Sequence, residues 1–412
     1  MADVDLLIVG GGMVGLSLAL ALQKGKASRE LSIVIVDGTP ADIDEGHPLW
    51  YRVSAITRGS ERFLKKIKGW PEQAVRSPYD KMQVWDATGS GSIAFDAAEL
   101  AEPNLGHIIA NQHIREALIS ECQRHDNIRL IAPAKAVALT EHEDGTASMT
   151  LDNDEQIKAR LLVAADGGNS WLRAHKNLYT DTASYEQAAV ICQINTESSH
   201  AYTARQRFLP TGPLALLPLS DVHQCSIVWS TTPEEASRLK PLSDDEFSSE
   251  LTEASGACLG NLKVDSPRFV IPLIRRHVER YLDDGLVLIG DAAHTIHPLA
   301  GQGANLGLMD AATLAEVIDG ALLKGHELTN LNALRPYERW RRSENQMMMD
   351  AMSFFRHLFD GDQGFKVWLR NNGLSMVDKL PWVKEKIMHQ AMGLEGDLPA
   401  LARVVRPAEK DI

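Results

Sequence analysis

The sequence contains few cysteines and no close pair of them. There are 4 in 412 residues, at positions 122, 192, 225 and 258. None of them forms a CxxC pair, which gives a zinc site or a dithiol redox motif little support. We interpret all four as reduced thiols, as is usual in a cytoplasmic protein.

Long hydrophobic runs and excess positive charge are also missing. The uncharged run over residues 6–22 is shorter than the roughly 20 residues of a membrane-spanning helix, and glycines interrupt it. No basic, cleavable leader is visible, so we expect no signal peptide and a cytoplasmic location. Lys and Arg number 42 against 55 Asp and Glu, a formal net charge of −13. This balance is unfavourable for a nucleic-acid-binding protein.

Glycine is abundant, with 30 residues, and its first cluster lies between a predicted strand and a predicted helix. The run over residues 4–9, which is apolar except for Asp5, is typical of a parallel strand covered on both faces. We predict a helix over 13–23 and a second strand over 32–36. This βαβ pattern is the context in which a glycine-rich turn binds a dinucleotide.

The turn itself has the sequence GxGxxG, formed by Gly10, Gly12 and Gly15. Gly10 permits the tight turn, Gly12 lets the backbone approach a pyrophosphate, and Gly15 lets the helix pack closely. The free N–H groups at the helix N-terminus favour phosphate. Asp37, which ends the second strand, can accept hydrogen bonds from a ribose. The motif predicts a dinucleotide without separating FAD from NAD.

Two later strand ends also carry an acid beside a glycine. The apolar run over 161–165 leads to Asp166, and the run over 286–289 leads to Asp291, which can bind a polyol hydroxyl. A glycine-rich turn then opens a helix predicted over 303–324. We expect its N-terminus to face a developing negative charge, such as that on a reduced flavin ring. The residues at that N-terminus are Gly303, Ala304 and Asn305.

In this order, the three motifs resemble those of the class A flavin monooxygenases, the para-hydroxybenzoate hydroxylase superfamily, up to about residue 342. Arg52, before a helix predicted over 53–68, resembles a family arginine that contacts the cofactor. Gln112, at the start of a helix predicted over 112–125, matches the polar residue that helps to hold the FAD pyrophosphate. The resemblance implies FAD as the cofactor and NAD(P)H as a transient co-substrate.

Shorter stretches are similar to the ubiquinone-biosynthesis flavin hydroxylases, among them 77–86, 105–109 and 294–307, and the tail over 390–399 points to the 2-octaprenylphenol hydroxylase branch. The resemblance implies that reduced FAD takes up O2 as a flavin C4a-hydroperoxide, which hydroxylates the ring of a hydrophobic polyprenyl phenol. Pro298 would shape the oxygen-reacting face of the flavin. His297, where relatives usually carry Asn, is a candidate base by position only, and ordinary packing is the alternative.

The predicted fold is α/β, with a discontinuous Rossmann-like FAD-binding domain formed by residues 1–76, 101–176 and 276–340. An inserted substrate domain built on an antiparallel sheet comprises 77–100 and 177–275, where the pattern predicts mostly strands. The helical C-terminal region comprises 341–412. The β-rich insert is the expected wall of an apolar substrate pocket.

Several alternatives stay open at the level of sequence. Apolar and basic side chains mix over 366–388, which suits an interfacial helix, packing on the body or an oligomer interface. The same fold could hydroxylate a soluble phenol, or the chain could be a non-catalytic flavoprotein partner in a biosynthetic complex. No motif indicates whether the enzyme uses NADH or NADPH, or which position of the substrate ring it hydroxylates.

Overall fold

A computed structural model describes residues 3–44, 46–89, 91–295, 302–359 and 381–404 of the chain. Its strands, in chain order, are β1 (Val4–Val9), β2 (Ile33–Val36), β3 (Val53–Thr57), β4 (Ser77–Tyr79), β5 (Lys81–Asp86), β6 (Ser92–Asp96), β7 (Gly106–Ala110), β8 (Ile128–Ile131), β9 (Ala136–Glu141), β10 (Ala147–Leu151), β11 (Gln156–Ala164), β12 (Thr180–Thr196), β13 (Thr203–Leu209), β14 (Gly212–Pro218), β15 (Gln224–Thr231), β16 (Leu262–Val264), β17 (Phe269–Val278), β18 (Leu282–Asp283), β19 (Leu286–Leu288) and β20 (His294–Thr295).

The helices follow the periodic segments of the sequence. They are α1 (Met13–Leu22), α2 (Arg58–Lys66), α3 (Asn111–Cys122), α4 (Trp171–His175), α5 (Pro233–Leu239), α6 (Asp244–Ser255), α7 (Gln302–Leu323), α8 (Leu331–Phe359) and α9 (Pro381–Ala391). None of the helices in the described ranges is long and apolar enough to cross a membrane.

An eight-stranded sheet forms the first layer, with β1 at its centre between β11 and β2. The strands β19, β11, β1, β2 and β8 run parallel to one another, as the apolar runs predict. Leu6, Leu7 and Ile8 are fully buried, and α1 packs on β2 of this sheet and against α3 and α7. The carboxyl ends of β1, β2, β11 and β19 therefore meet along one edge of this sheet.

A nine-stranded sheet forms the second layer, with the path β20-β17-β12-β15-β14-β13-β5-β6 and β16 beside β12. The predicted antiparallel strands over 189–230 and the predicted hairpin over 79–95 are all present in it. Side chains of β12, β14 and β15 alternate between its two faces. One face packs beneath α5 and α6 around Phe247 and Leu251, which are fully buried.

The prediction of a single helix over 53–68 is wrong at its start. Residues 53–57 form β3, which pairs antiparallel with β7 in a three-stranded sheet, and the helix begins only at Arg58. The side chain of Thr57 caps that helix by accepting from the backbone N–H of Ser60. Pairing with a partner about fifty residues away thus overrides the local pattern.

The described part of the C-terminal region packs on the body of the protein. Met388 of α9 is buried in a cluster with Ala97 and Leu105, and the Lys384 ammonium lies 2.9 Å from a carboxylate oxygen of Glu99. Beyond α9, the carbonyl of Met392 accepts a hydrogen bond from the N–H of Gly59. These contacts hold α9 against the β5–β6 hairpin and α2. Residues 360–380, which contain most of the mixed apolar and basic segment, lie outside the described ranges.

Candidate functional site

The predicted site residues converge on the carboxyl edge of the parallel sheet. Gly10 directly follows β1, Asp37 directly follows β2, Asp166 lies two residues after β11, and Asp291 lies three residues after β19. The carboxyl edge of an open parallel sheet is where such folds bind their ligands. Residues that are up to 281 positions apart in the sequence are thereby collected on one rim.

Two glycines of the first turn are required by close backbone packing. Gly10 has a φ of +115°, and a Cβ there would lie 2.1 Å from the carbonyl oxygen of Ala165. A Cβ on Gly15 would lie 2.0 Å from the carbonyl oxygen of Gly10 and 3.1 Å from Ile8. A side chain at Gly10 would therefore push the glycine turn away from the end of β11, and one at Gly15 would push α1 away from the end of β1.

Gly12 has a different environment, because a Cβ there would meet nothing within 4 Å among the described residues. Its backbone is at φ −79°, which any residue adopts, and it is the N-cap of α1. Packing and backbone strain therefore give no reason for glycine at this position. Open space directly in front of a helix N-terminus is the cradle that a pyrophosphate requires.

The Asp37 carboxylate is held by backbone donors on both sides. One oxygen accepts from the N–H of Gly11 at 2.5 Å, and the other accepts from the N–H of Thr39 at 2.6 Å. The side chain is thereby fixed beside the glycine turn. Each oxygen keeps a further lone pair, so the predicted ribose contact remains chemically available.

Arg115 is a residue of this region that the sequence analysis did not select. It lies on α3, is only 4% exposed, and donates to the carbonyl oxygens of Gly11, Thr39, Pro40 and Ala41 over distances of 2.7–3.0 Å. The guanidinium thus fastens the loop after β2 to the glycine turn. An arginine on the buried side of an amphipathic helix was the available signal, because such a charge needs partners.

Gln112 begins the same helix and has an unused acceptor. The side chain is 1% exposed, its amide nitrogen donates to Glu116 at 3.1 Å, and its Oε1 is buried with no hydrogen-bond partner among the described residues. A buried amide oxygen without a donor is costly. A bound polar ligand at this helix end would supply the missing donor.

Asp166 shows the same imbalance at the end of β11. Its Oδ2 accepts from the backbone N–H of Trp171 at 2.7 Å, whereas its Oδ1 is buried without a donor in the part of the chain that the structure describes. Burial raises the pKa of Asp166 above its ordinary value. The side chain of Arg276 extends over the adjacent backbone, donating to the side-chain oxygen of Asn169 at 3.0 Å.

Asp291 follows β19 at the carboxyl edge of the parallel sheet, and its side chain is exposed. Solvent reaches its side chain, but surrounding protein removes enough water to raise the pKa of its carboxyl, against the opposing charges of His294, Arg52 and Arg276. The structure thereby brings Arg52 near Asp291, although 239 residues separate them. A solvent-accessible acid near cations is suited to bind a hydroxyl or amide group of a ligand.

Close packing also explains the glycines around the second acidic turn. Val14 of α1 lies against Gly290 and Gly307, and a Cβ on Gly307 would be 2.7 Å from a Val14 methyl and 3.2 Å from the Cα of Gly290. The start of α7 and the turn before Asp291 therefore meet almost backbone to backbone. Any bulk at Gly307 would separate the two.

The N-terminus of α7 is fixed in place by a side chain. Asn305 is 4% exposed, donates to the carbonyl oxygen of Ala55 at 2.8 Å, and accepts from the N–H of Thr57 at 3.0 Å. Two residues earlier, a Cβ on Gly303 would meet nothing within 4 Å among the described residues, and Ala304 is half-buried. His297 and Pro298 lie outside the described residues.

The second sheet presents a row of six apolar residues and Gln206 on the face opposite α5 and α6. Directly paired residues run across seven strands, and such residues share one face. Most are half-buried, and Tyr51 stacks on the first of them at a ring distance of 5.4 Å, next to Arg52. The row consists of Phe269, Ile191, Val228, Ala215, Gln206, Val84 and Ile93.

The arrangement fits FAD on three independent observations. Gly12 at the N-terminus of α1 and Gly303 at that of α7 each have no atom of the described residues within 4 Å of where a Cβ would be. Gln112 and Asp166 each carry a buried acceptor without a donor within the described ranges. Acids follow the carboxyl ends of the parallel strands. These features define a dinucleotide-binding flavoprotein fold with a second, apolar sheet beside the cofactor edge.

Comparison with known proteins identifies the family. Residues 3–352 match the family described as "FAD binding domain". The chain is 32% identical to the 3-demethoxyubiquinol 3-hydroxylase of Escherichia coli over 95% of its length and 98% of that protein. It is 34% identical to the ubiquinone hydroxylase UbiL of Rhodospirillum rubrum, covering 94% of this chain and 89% of the relative. The chain belongs to this FAD-binding family of flavin hydroxylases, and it is an FAD-dependent aromatic monooxygenase.

Solved structures share the fold at low sequence identity. The p-nitrophenol 4-monooxygenase PnpA from Pseudomonas putida superposes with a TM-score of 0.77 at 19% identity, covering 96% of this chain and all of that one. A complex of aklavinone-11 hydroxylase with FAD and aklavinone gives a TM-score of 0.68 at 17% identity, covering 86% of this chain and 68% of that one. Both the α/β architecture and the inserted antiparallel sheet are therefore those of flavin monooxygenases.

Proposed function

We propose that this enzyme hydroxylates the aromatic ring of a polyprenylated phenol in ubiquinone biosynthesis, with NAD(P)H and O2 as co-substrates. The observation that supports the proposal is the near full-length match to relatives named as ubiquinone hydroxylases or ubiquinone biosynthesis monooxygenases. They include the ubiquinone biosynthesis monooxygenase COQ6 of Xenopus tropicalis at 33% identity. That match extends over 93% of the chain and 92% of the relative. Within the family, the tail resemblance favours the 2-octaprenylphenol branch.

FAD would be held along the carboxyl edge of the parallel sheet. We assign the pyrophosphate to the turn formed by Gly10, Gly12 and Gly15, and the ribose to Asp37. Four further side chains complete the proposed site. They are Arg52, Gln112, Asp166 and Asp291, with Gly303, Ala304 and Asn305 at the N-terminus of α7. When bound, FAD supplies the electron transfer from NAD(P)H to O2 that makes ring hydroxylation possible.

The residues of the chain itself position the substrate and exclude water. The apolar row from Phe269 to Ile93 provides a wall against which a phenol ring and a hydrophobic tail can pack. Burying such a tail also removes water from the reacting ring, which limits wasteful side reactions. We retain Pro298 as the residue beside the reacting flavin face and His297 as a candidate base.

We also propose the domain division into an FAD-binding part, with residues 1–76, 101–176 and 276–340, a substrate part, with 77–100 and 177–275, and a helical part from 341 onward. The separate hydrophobic clusters beneath the two large sheets support it. For the helical part we propose contact with a membrane surface, with a biosynthetic complex or with a second copy of the chain.

Complementation of cells that lack each ubiquinone-ring hydroxylase tests the function. We expect the gene to restore ubiquinone in one such strain and to remove the intermediate that accumulates there, as measured by mass spectrometry of lipid extracts. A variant with Gly12→Asp, which places a charged side chain in the pyrophosphate space, serves as the matched negative control. Failure in every strain, combined with turnover of short soluble phenols by the purified enzyme, would favour a soluble substrate.

A further inference from the structure

A fully buried carboxylate lies directly behind the turn that carries Asp291. Asp310 of α7 has no exposed surface, and its Oδ2 accepts from the N–H of Gly290 at 2.9 Å and contacts Nε2 of His294 at 2.5 Å. Its Oδ1 accepts from Nε of Arg341 at 2.7 Å and from the amide of Asn345 at 3.3 Å. We call these five residues the Asp310 cluster.

The cluster connects four segments that are separate in the sequence. Gly290 lies in the turn that carries Asp291, His294 begins β20, Asp310 lies on α7, and both Arg341 and Asn345 lie on α8. Oδ2 contacts Gly290, one residue before Asp291, and His294, three residues after it. The carboxylate therefore fixes the turn from both ends.

The charge of Asp310 is compensated within the protein. Burial alone would raise the pKa of Asp310, but His294 and Arg341 outweigh burial and hold that pKa well below its ordinary range. The lowered pKa favours the ionised form, and each hydrogen-bond partner of Asp310 in the described part of the chain can donate a proton to it. An ionised carboxylate surrounded by donors forms strong, short hydrogen bonds with a defined geometry.

The surrounding packing leaves little freedom for the turn to adjust. Gly307 of α7 approaches the Cα of Gly290 so closely that a Cβ would be 3.2 Å from it. Asn345 continues the network to the hydroxyl of Tyr281 at 3.3 Å, and that hydroxyl lies 3.1 Å from His277 of β17. His277 is also the strand partner of His294.

We propose that Asp310 is a positioning residue for the flavin site. Its side chain fixes the position of Asp291 relative to the N-terminus of α7. Asp310 does not itself face the proposed ligand, since its oxygens contact Gly290, His294, Arg341 and Asn345. It acts through Asp291 by fixing the turn on the same helix whose first residues face the cofactor. This inference rests on the assignment of Asp291 to the FAD site proposed above.

The test compares Asp310→Asn with Asp319→Asn, a matched control on the same helix. Asp319 also accepts from backbone N–H groups, those of Ala27 and Ser28, but it does so beyond the far end of α1.

Apoprotein is titrated with FAD, and the absorption bands of bound flavin and the thermal unfolding of apoprotein are recorded. We expect Asp310→Asn to weaken FAD binding at least about tenfold and to shift the flavin bands, as loss of a supporting contact does at other cofactor sites. Asp319→Asn is expected to change only the unfolding temperature.

A double-mutant cycle with Asp291→Ala separates positioning from general destabilisation. If Asp310 acts through Asp291, the double variant loses much less FAD affinity than the product of the two single losses. Multiplicative losses, or an equal loss in Asp319→Asn, would overturn the inference. Unchanged affinity in Asp291→Ala would instead remove the site assignment on which it rests. If Asp310→Asn does not fold, His294→Gln replaces it in the cycle with the same expectation.

Discussion

At the scale of single residues, two glycines of one motif serve different purposes. Gly15 has no space for a side chain because the Gly10 carbonyl and Ile8 lie against it, whereas Gly12 faces open space. The first requirement belongs to the fold, and the second belongs to the ligand. A motif that is usually treated as one unit therefore separates into a packing part and a binding part.

Alanine substitutions test this separation. Gly15→Ala is expected to lower the free energy of unfolding of the apoprotein by about 2 kcal/mol or more through overpacking. Gly12→Ala should change that free energy by less than about 1 kcal/mol, as expected of an N-cap exchange, yet weaken FAD binding at least about tenfold. Urea denaturation and FAD titration measure the two quantities. An unaltered FAD affinity in Gly12→Ala would argue against a pyrophosphate at this turn.

Arg115 provides a second prediction at this scale. Arg115→Lys keeps the charge but loses the planar fork that reaches four carbonyl groups, so we expect apoprotein stability to fall by about 2 kcal/mol. Chemical denaturation is the measurement. Arg129→Lys is the control, because its partner Glu155 forms an exposed ion pair. Equal small effects in both variants would show that Arg115 does not hold the loop.

At the scale of secondary-structure elements, the sequence predicts well the strands that are buried on both faces. The predicted strand Val4–Val9 has its observed bounds, because a mostly apolar run followed by glycines has few alternatives. The segment 53–57 was misassigned to a helix, because its strand character depends on pairing with Gly106–Ala110. Asp310 and Arg115 were missed for the same reason, since their partners lie up to 104 positions away.

The apolar row across the second sheet gives a prediction at this scale. Ala215 is its smallest member, so Ala215→Phe should obstruct a long hydrophobic tail and raise the KM for a polyprenyl phenol about tenfold or more. The KM for a short-chain phenol should stay within about twofold. Steady-state kinetics with both substrates decide, with the exposed Val137→Phe as control. A uniform effect on both substrates would contradict a tail-binding row.

At the scale of the whole molecule, the two large sheets are joined through a buried polar network. His277 belongs to the second sheet, and the Asp310 cluster reaches it through Tyr281 and Asn345. The network also includes Arg341 and Asn345 of α8, so this helix packs behind the turn that carries Asp291. The C-terminal helix α9 adds a further contact to this body through Lys384 and Glu99.

The stability of the whole fold should depend on pH through His277. Burial, together with His294 and Arg342, lowers the pKa of His277 to about 4 from an ordinary 6.5. Between these values the unfolded chain binds a proton that the folded chain does not, so stability is lost as pH falls from 6.5 towards 4, by up to about 3 kcal/mol. In His277→Gln, urea denaturation at several pH values should show a flatter profile. A profile identical to that of the unmutated enzyme would contradict this origin.

The most direct test of the central claim is the fate of labelled oxygen. Purified enzyme with FAD, NADH or NADPH and a polyprenylated phenol is incubated under ¹⁸O2, and the lipid product is analysed by mass spectrometry. We expect one ¹⁸O atom in the ring of each product molecule, with reduced nicotinamide consumed in equal amount. Nicotinamide consumption without a labelled ring product, or no consumption that depends on the phenol, would contradict the proposed hydroxylation.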